Sequence, residues 1–110
     1  MQRYCFTMTI RPGQEAEYER RHQEVWPELV TALRENGVSN YSLFRQGNRV
    51  IAYAECEPDG PTAFGAVART DVDARWAAWF EDVLEPLADD EGNLETYREV
   101  WHMPEQTPRS

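Results

Sequence analysis

Lysine is absent from this 110-residue chain, and all eleven basic residues are arginine. That excludes covalent catalysis through a lysine Schiff base. Cysteine is scarce: only Cys5 and Cys56 occur. Two such residues make no disulfide framework and read as plain buried thiols. No run approaches the roughly 18 apolar residues that span a bilayer. The opening MQRYCFTMTI lacks a basic region followed by a long apolar run, so it does not read as a secretory signal. The expected location is the cytoplasm. There is no serine elbow, no phosphate-cradling glycine loop and no dinucleotide fingerprint.

Positive charge is also in short supply. Twenty acidic residues against eleven basic give a formal net charge of −9. That field repels polyanions, so nucleic acid and acidic membranes are poor partners, while a small neutral ligand is unaffected. What is present suits a folded domain. Hydrophobic residues make up 41% and aromatics 12%, enough to drive collapse. A chain of this length forms one domain, expected over residues 1–104, with 105–110 as a flexible tail.

Residues 3–10 alternate, with Tyr4, Phe6, Met8 and Ile10 on one face, which predicts a strand. Pro12-Gly13 breaks it. Residues 14–36 carry helical periodicity, and Pro27 predicts a break near Glu24–Trp26 because proline suits the first turn of a new helix. Asn36-Gly37 ends that segment, with Gly37 in the left-handed region. Residues 39–46 and 49–56 flank Gly47-Asn48, a hairpin signal. A short helix is predicted over about 62–69. Thr70-Asp71-Val72-Asp73 reads as the cap of a helix running to about Leu87. An acidic loop over 88–93 and a last strand over 94–103 complete the chain.

This order is the ferredoxin-like split βαβ arrangement, an α+β fold with a four-stranded antiparallel sheet. Helices cover one sheet face. The other carries large side chains, and a second copy packed sheet to sheet is its simplest cover, giving a homodimer. Strands one and three are expected side by side and parallel, which keeps Cys5 and Cys56 too far apart to bond.

Histidine is rare too, with only His22 and His102. His22 lies one helical turn after Tyr18 and one before Trp26, so a phenol, an imidazole and an indole project together. Imidazole exchanges protons near neutrality, and aromatic rings offer flat faces for a sugar or other ring. The plainer reading makes Tyr18 and Trp26 core residues and His22 a hydrogen-bonded bystander. Tyr41, Trp76 and Trp79 admit the same two readings, strand or helix core against pocket wall. His102 stands alone and makes no metal site. Asp71, Asp73 and the 89–91 run read as capping and solvated charge rather than a metal constellation.

The block Tyr18-Glu19-Arg20-Arg21-His22, followed by Val25-Trp26-Pro27-Glu28-Leu29, Gly37 and Asn40-Tyr41, closely resembles the L-rhamnose mutarotase family. Ala66-Val67-Ala68, Thr70-Asp71-Val72, Arg75-Trp76 and Glu99-Val100 are similar to the same family, so the resemblance covers nearly the whole chain. It implies a ferredoxin-like domain that dimerises into an α+β barrel. It implies interconversion of the α and β pyranose anomers of L-rhamnose, without cofactor or metal. His22 resembles the family's proton donor, and Tyr18, Tyr41 and Trp76 resemble its sugar-binding positions. Trp26 and Trp79 are further candidate pocket residues. One position departs: the family pattern has a second tryptophan after the first, where this chain has Ala77, and that bears on sugar specificity. Two other classes share the architecture: small dimeric barrels of the cofactor-independent or haem-degrading monooxygenase type, and non-catalytic sugar-binding modules.

Overall fold

A computed structural model describes residues 1–87 and 94–104. Eight elements follow in order: β1 (Gln2–Thr9), α1 (Glu15–His22), α2 (Pro27–Glu35), β2 (Val38–Gln46), β3 (Arg49–Cys56), α3 (Gly60–Ala68), α4 (Asp71–Trp79) and β4 (Thr96–Tyr97). The sheet has the order β2-β3-β1-β4, and each pairing is antiparallel. The fold class is therefore the α+β sandwich of the sequence reading.

The parallel pairing expected for strands one and three is corrected. A βαβ crossover returns β2 in the direction of β1, and the two-residue hairpin then reverses β3, so β3 runs against β1. The register sets Gln2 opposite Cys56 and Cys5 opposite Tyr53. Cys5 points to the open face and Cys56 to the core face by strand alternation, and both are free thiols.

The core forms where the predicted periodicity put it. Phe6, Met8 and Ile10 of the first strand region meet Val50 and Ala52 of β3, with Tyr18, Phe80 and Val83 packed above. A second cluster joins Val38, Ala54 and Cys56 to Ala63 and Val67 of α3. The helix starts are built from local chemistry. Asp59 accepts a hydrogen bond from the Thr62 N–H (2.8 Å), and Thr70 Oγ1 accepts one from the Asp73 N–H (3.3 Å), each typically worth about 1 kcal/mol. Pro27 opens α2, and its ring forces Trp26 into extended backbone (φ −62°, ψ 128°), which separates α1 from α2 as predicted.

Two boundaries differ from expectation. The fourth helix stops at Trp79 rather than near Leu87. Residues 83–85 are drawn away to pair with the end of β1: the Arg11 N–H donates to the Val83 carbonyl (2.8 Å) and the Glu85 N–H to the Thr9 carbonyl (3.0 Å). A tertiary ladder here outcompetes helical continuation. The last strand is also shorter than residues 94–103: its ladder holds Thr96 and Tyr97, opposite Phe6 and Cys5, with a single bridge at Leu94 before it. Beyond them Val100 and Trp101 are 89% and 72% exposed, so in the single chain nothing rewards extending the ladder. The predicted 88–93 loop and 105–110 tail lie outside the described residues.

Candidate active site

Between the core face of the sheet and the helices lies a cavity of about 850 Å³, within the ~300–1,000 Å³ usual for small-molecule sites. Phe6 and Met8 form part of its floor. Tyr18, His22, Tyr41 and Trp76 all line it, as do Asp73, Ala77 and Phe80. Four of the residues singled out in the sequence thus line one cavity. Trp26 and Trp79 do not line it.

His22 closes the C-terminal turn of α1 and is half-buried. Its ring lies 4.3 Å from that of Tyr18, 5.1 Å from Phe80 and 5.6 Å from Trp76, centroid to centroid. Nδ1 donates to the Tyr18 carbonyl at 2.8 Å. A carbonyl can only accept, so this bond fixes the tautomer with the hydrogen on Nδ1. Nε2 is left as the nitrogen that gains and loses the second proton. Burial pushes the imidazole below its ordinary value, partly opposed by the bond to the Tyr18 carbonyl. One ring nitrogen is thus spent inside the fold, and among the described residues the other has no hydrogen-bond partner.

Tyr18 is 3% exposed, and its hydroxyl is buried without a hydrogen-bond partner among the described residues. Such a group costs roughly 1–3 kcal/mol, which a hydrogen-bonding ligand at the cavity wall would recover. Burial raises its phenol well above the usual value. Tyr41 owes its position to a bulge. Between Ser39 and Ser42 the β2/β3 register shifts, and Asn40 takes a left-handed φ of 46°. Strict alternation from Val38, which faces the core, would turn Tyr41 outward; the extra residue turns it back over the core face. Asn40 is held there by donating to the Glu55 carboxylate at 3.0 Å. Tyr41 packs 5.5 Å from Phe64, and burial raises its phenol too.

The tryptophans form a wall behind the site. Trp26 stacks on Trp79 at 5.4 Å and 16°, and meets Trp76 edge-on at 5.0 Å. Trp76 alone of the three reaches the cavity, with Trp26 and Trp79 bracing it. Arg21 locks this wall to α1. Its guanidinium is almost fully buried and donates to Glu17 (2.8 Å), to Asp82 (3.1 Å) and to the Trp79 carbonyl, and it lies 5.0 Å over the Trp79 ring. Hydrogen bonds from Arg20 and Arg21 hold the Glu17 carboxyl at about 2. Arg21 also satisfies the last carbonyl of α4, so it helps end that helix and sets the spacing between His22 and Trp76. Among the described residues no three of His, Cys, Asp or Glu gather as a metal site.

The model of the family described as L-rhamnose mutarotase matches residues 3–103. The chain belongs to that family. An L-rhamnose mutarotase from Oceanobacillus iheyensis is 35% identical over 105 residues, covering 94% of this chain and 99% of its own. One from Escherichia coli is 35% identical over 104 residues, covering 94% and 100%. The crystal structure of an L-rhamnose mutarotase from Formosa agariphila superposes with a TM-score of 0.76 at 27% identity, covering 94% of this chain and all of that one. Tetracenomycin F2 cyclase from Streptomyces glaucescens superposes at 0.57 with 18% identity, covering 96% and 100%, a likeness of fold alone.

Three features of the site escaped the sequence reading. Arg21 falls on the same helix side as Tyr18 and His22, but its bonds to Asp82 and the Trp79 carbonyl leave no local signal. The Asn40 bulge leaves no periodic trace. Asp73 looked like half of a capping box, yet the residue lines the cavity. The Thr70 N–H, which a capping box would offer to it, donates instead to the Val67 carbonyl at 2.9 Å. The i, i+3 and i, i+4 relation of Asp73 to Trp76 and Ala77 was the signal that would have placed it on that face.

Proposed function

We propose that the chain interconverts the α and β anomers of L-rhamnose by opening and reclosing the pyranose ring with positioned acid–base groups. The observation that carries this reading is the His22 ring: half-buried at the cavity, its Nδ1 committed to the Tyr18 carbonyl and its Nε2 free to exchange a proton. Family membership supports the same reading. Ring opening needs one proton delivered to the ring oxygen and one removed from the anomeric hydroxyl, with no redox change. Acid–base positioning supplies about 10²–10⁴-fold, which suits a reaction that already proceeds unaided in water. His22 acts as the acid toward the ring oxygen. Tyr18 and Tyr41 hold sugar hydroxyls. Trp76 covers the apolar side of a 6-deoxy sugar.

Magnetisation transfer between the two anomeric protons of L-rhamnose tests this directly. Added protein is expected to speed exchange; unchanged exchange overturns the proposal. The same spectra separate the other readings: ligand-induced shifts at the tryptophan signals without exchange indicate a binding module.

Ala77 bears on specificity. It follows Trp76 along the cavity, and a methyl group there leaves space that an indole would take. We expect the wild-type protein to accept L-mannose, which adds a hydroxyl at C6, and Ala77→Trp to disfavour it by roughly tenfold relative to L-rhamnose, the usual scale for filling a pocket. Anomer-exchange rates for both sugars in both proteins check this, and equal ratios remove the idea.

A homodimer accompanies this reading. On the open sheet face Ile51 and Tyr97 are half exposed, and Phe44 is 62% exposed; Val100, Trp101 and Met103 beyond β4 are exposed too, and a second copy on that face would bury apolar side chains of this kind. Sedimentation equilibrium is expected to give twice the chain mass, and Ile51→Lys to shift it toward one.

A further inference from the structure

Opening the ring takes two proton transfers, and His22 supplies one. We infer that Asp73 is the second proton-transfer group of this site, taking the proton of the anomeric hydroxyl while His22 protonates the ring oxygen. The assignment rests on the reading of the chain as an anomer-exchanging enzyme.

Asp73 stands in the first turn of α4, one turn before Trp76 and Ala77, and lines the same cavity as His22 and Tyr41. Its backbone N–H is spent on the Thr70 cap, while among the described residues its carboxylate meets neither a hydrogen-bond donor nor a cation. Its neighbours are committed. Asp71 pairs with Arg75 at 3.2 Å, and the Thr70 hydroxyl donates to the Val67 carbonyl at 2.6 Å. Asp73 is nonetheless half-buried, where an unpartnered carboxylate is costly unless function retains it. The small Ala77 beside it leaves its oxygens room to meet a ligand.

The other ionisable groups facing the cavity fit the role less well. From α1 come Tyr18 and His22, from β2 Tyr41, from α2 Arg34, and from the segments flanking α4 and β1 the side chains of Glu81, Glu85 and Arg11. Both phenols are pushed up by burial and stay protonated, so they hold hydroxyls but are poor bases. Arg11, Arg34, Glu81 and Glu85 are exposed. Burial raises the Asp73 carboxyl above its usual range and lowers the His22 imidazole. The two shifts run toward each other, and the active form carries a basic Asp73 and an acidic His22.

The step balances. Asp73 takes the O1 hydrogen as the C1=O1 double bond forms. The C1–ring-oxygen bond breaks with its electron pair going to oxygen, which takes the Nε2 proton of His22. The open aldehyde turns about C1–C2. The ring hydroxyl then adds to C1, its proton returns to His22, and Asp73 returns a proton to O1. No net proton or electron is consumed.

The test compares the rate–pH profiles of anomer exchange for wild type, Asp73→Asn and Asp73→Ala. Asp73→Asn is expected to lower kcat by roughly 10²-fold with a smaller change in KM, and to lose the acid limb of the profile while keeping the alkaline limb set by His22. Formate is expected to restore part of the rate to Asp73→Ala. An active wild type whose Asp73→Asn variant keeps both its rate and its acid limb overturns the assignment alone. So does a variant whose KM rises while kcat and the acid limb stay put, which marks a binding contact. A wild type that leaves exchange unchanged overturns the functional reading and the assignment together. Circular dichroism reports folding, and Asp73→Ser, which keeps a hydrogen-bonding side chain in the first turn, replaces any variant that unfolds.

Discussion

His22→Ala is expected to slow enzymatic anomer exchange by about 10²–10⁴-fold while the protein remains folded. Among the described residues the ring makes one hydrogen bond, to the Tyr18 carbonyl, and three aromatic contacts at 4.3–5.6 Å. Losing them from a half-buried position costs on the order of 1–2 kcal/mol, a fall in melting temperature of several degrees rather than a loss of fold. The two readings of His22 therefore separate in one variant. An acid–base residue gives a large rate loss and a small stability loss; a structural histidine gives the reverse. The pH dependence adds a sign. Burial depresses the imidazole, so the acid form is lost as pH rises through a value below the ordinary 6.5, and the alkaline limb of kcat/KM lies below that value. The unfolded chain binds this proton more readily than the native one. The His22 contribution to stability therefore falls as pH drops through the unfolded value, and His22→Ala removes that dependence. Exchange rates and thermal melts across pH 5–8 measure both.

The parts of the molecule that were legible in the sequence are those decided within a few residues. The alternation of Tyr4, Phe6, Met8 and Ile10 is a one-strand property and needs no partner to read. Pro27 breaks a helix by the geometry of its own ring, and Gly47-Asn48 turns a hairpin by its own backbone. Tyr18 and His22 meet because four residues make about one turn. What was not legible depends on groups far apart in the chain. Val83 and Glu85 leave the helical path because Arg11 and Thr9 offer backbone partners, and Arg21, 58 residues before Trp79, takes that residue's carbonyl. The direction of β3 against β1 follows from the whole path of the chain rather than from either strand. Asn40 is an unremarkable strand residue until its register against Glu55 and Tyr53 is known. Asp73 matches a capping pattern in sequence, but the Thr70 N–H bonds the Val67 carbonyl instead, and among the described residues the Asp73 carboxylate has no donor. The residues carried by local motifs, Tyr18, His22, Tyr41 and Trp76, come together along one cavity, while the place of Asp73 there follows from a bond it does not make.

Gly37→Ala is expected to destabilise the fold by at least about 3 kcal/mol, from two effects that add. Gly37 follows α2 with φ +96°, a conformation that costs a side-chain-bearing residue roughly 1–2 kcal/mol. The sequence makes that part readable. The larger part is tertiary: a Cβ at this position would lie 2.2 Å from the Glu57 carbonyl oxygen. The Gly37 carbonyl also accepts the Glu57 N–H at 2.9 Å, so relief by separating the two strands of backbone breaks that bond and strains the adjacent Val38–Cys56 pair. Gly47→Ala is the control. It has φ +58° with nothing within 4 Å of the added atom, and should lose only about 1 kcal/mol. For a domain of this size each kcal/mol shifts the melting temperature by about 4–8 °C, so Gly37→Ala should melt more than 10 °C below wild type and clearly below Gly47→Ala. Equal melting of the two variants would show that the close approach of residues 37 and 57 carries no weight. The site depends on this contact, because β2 begins at Val38 and the bulge that turns Tyr41 over the cavity is counted from that residue.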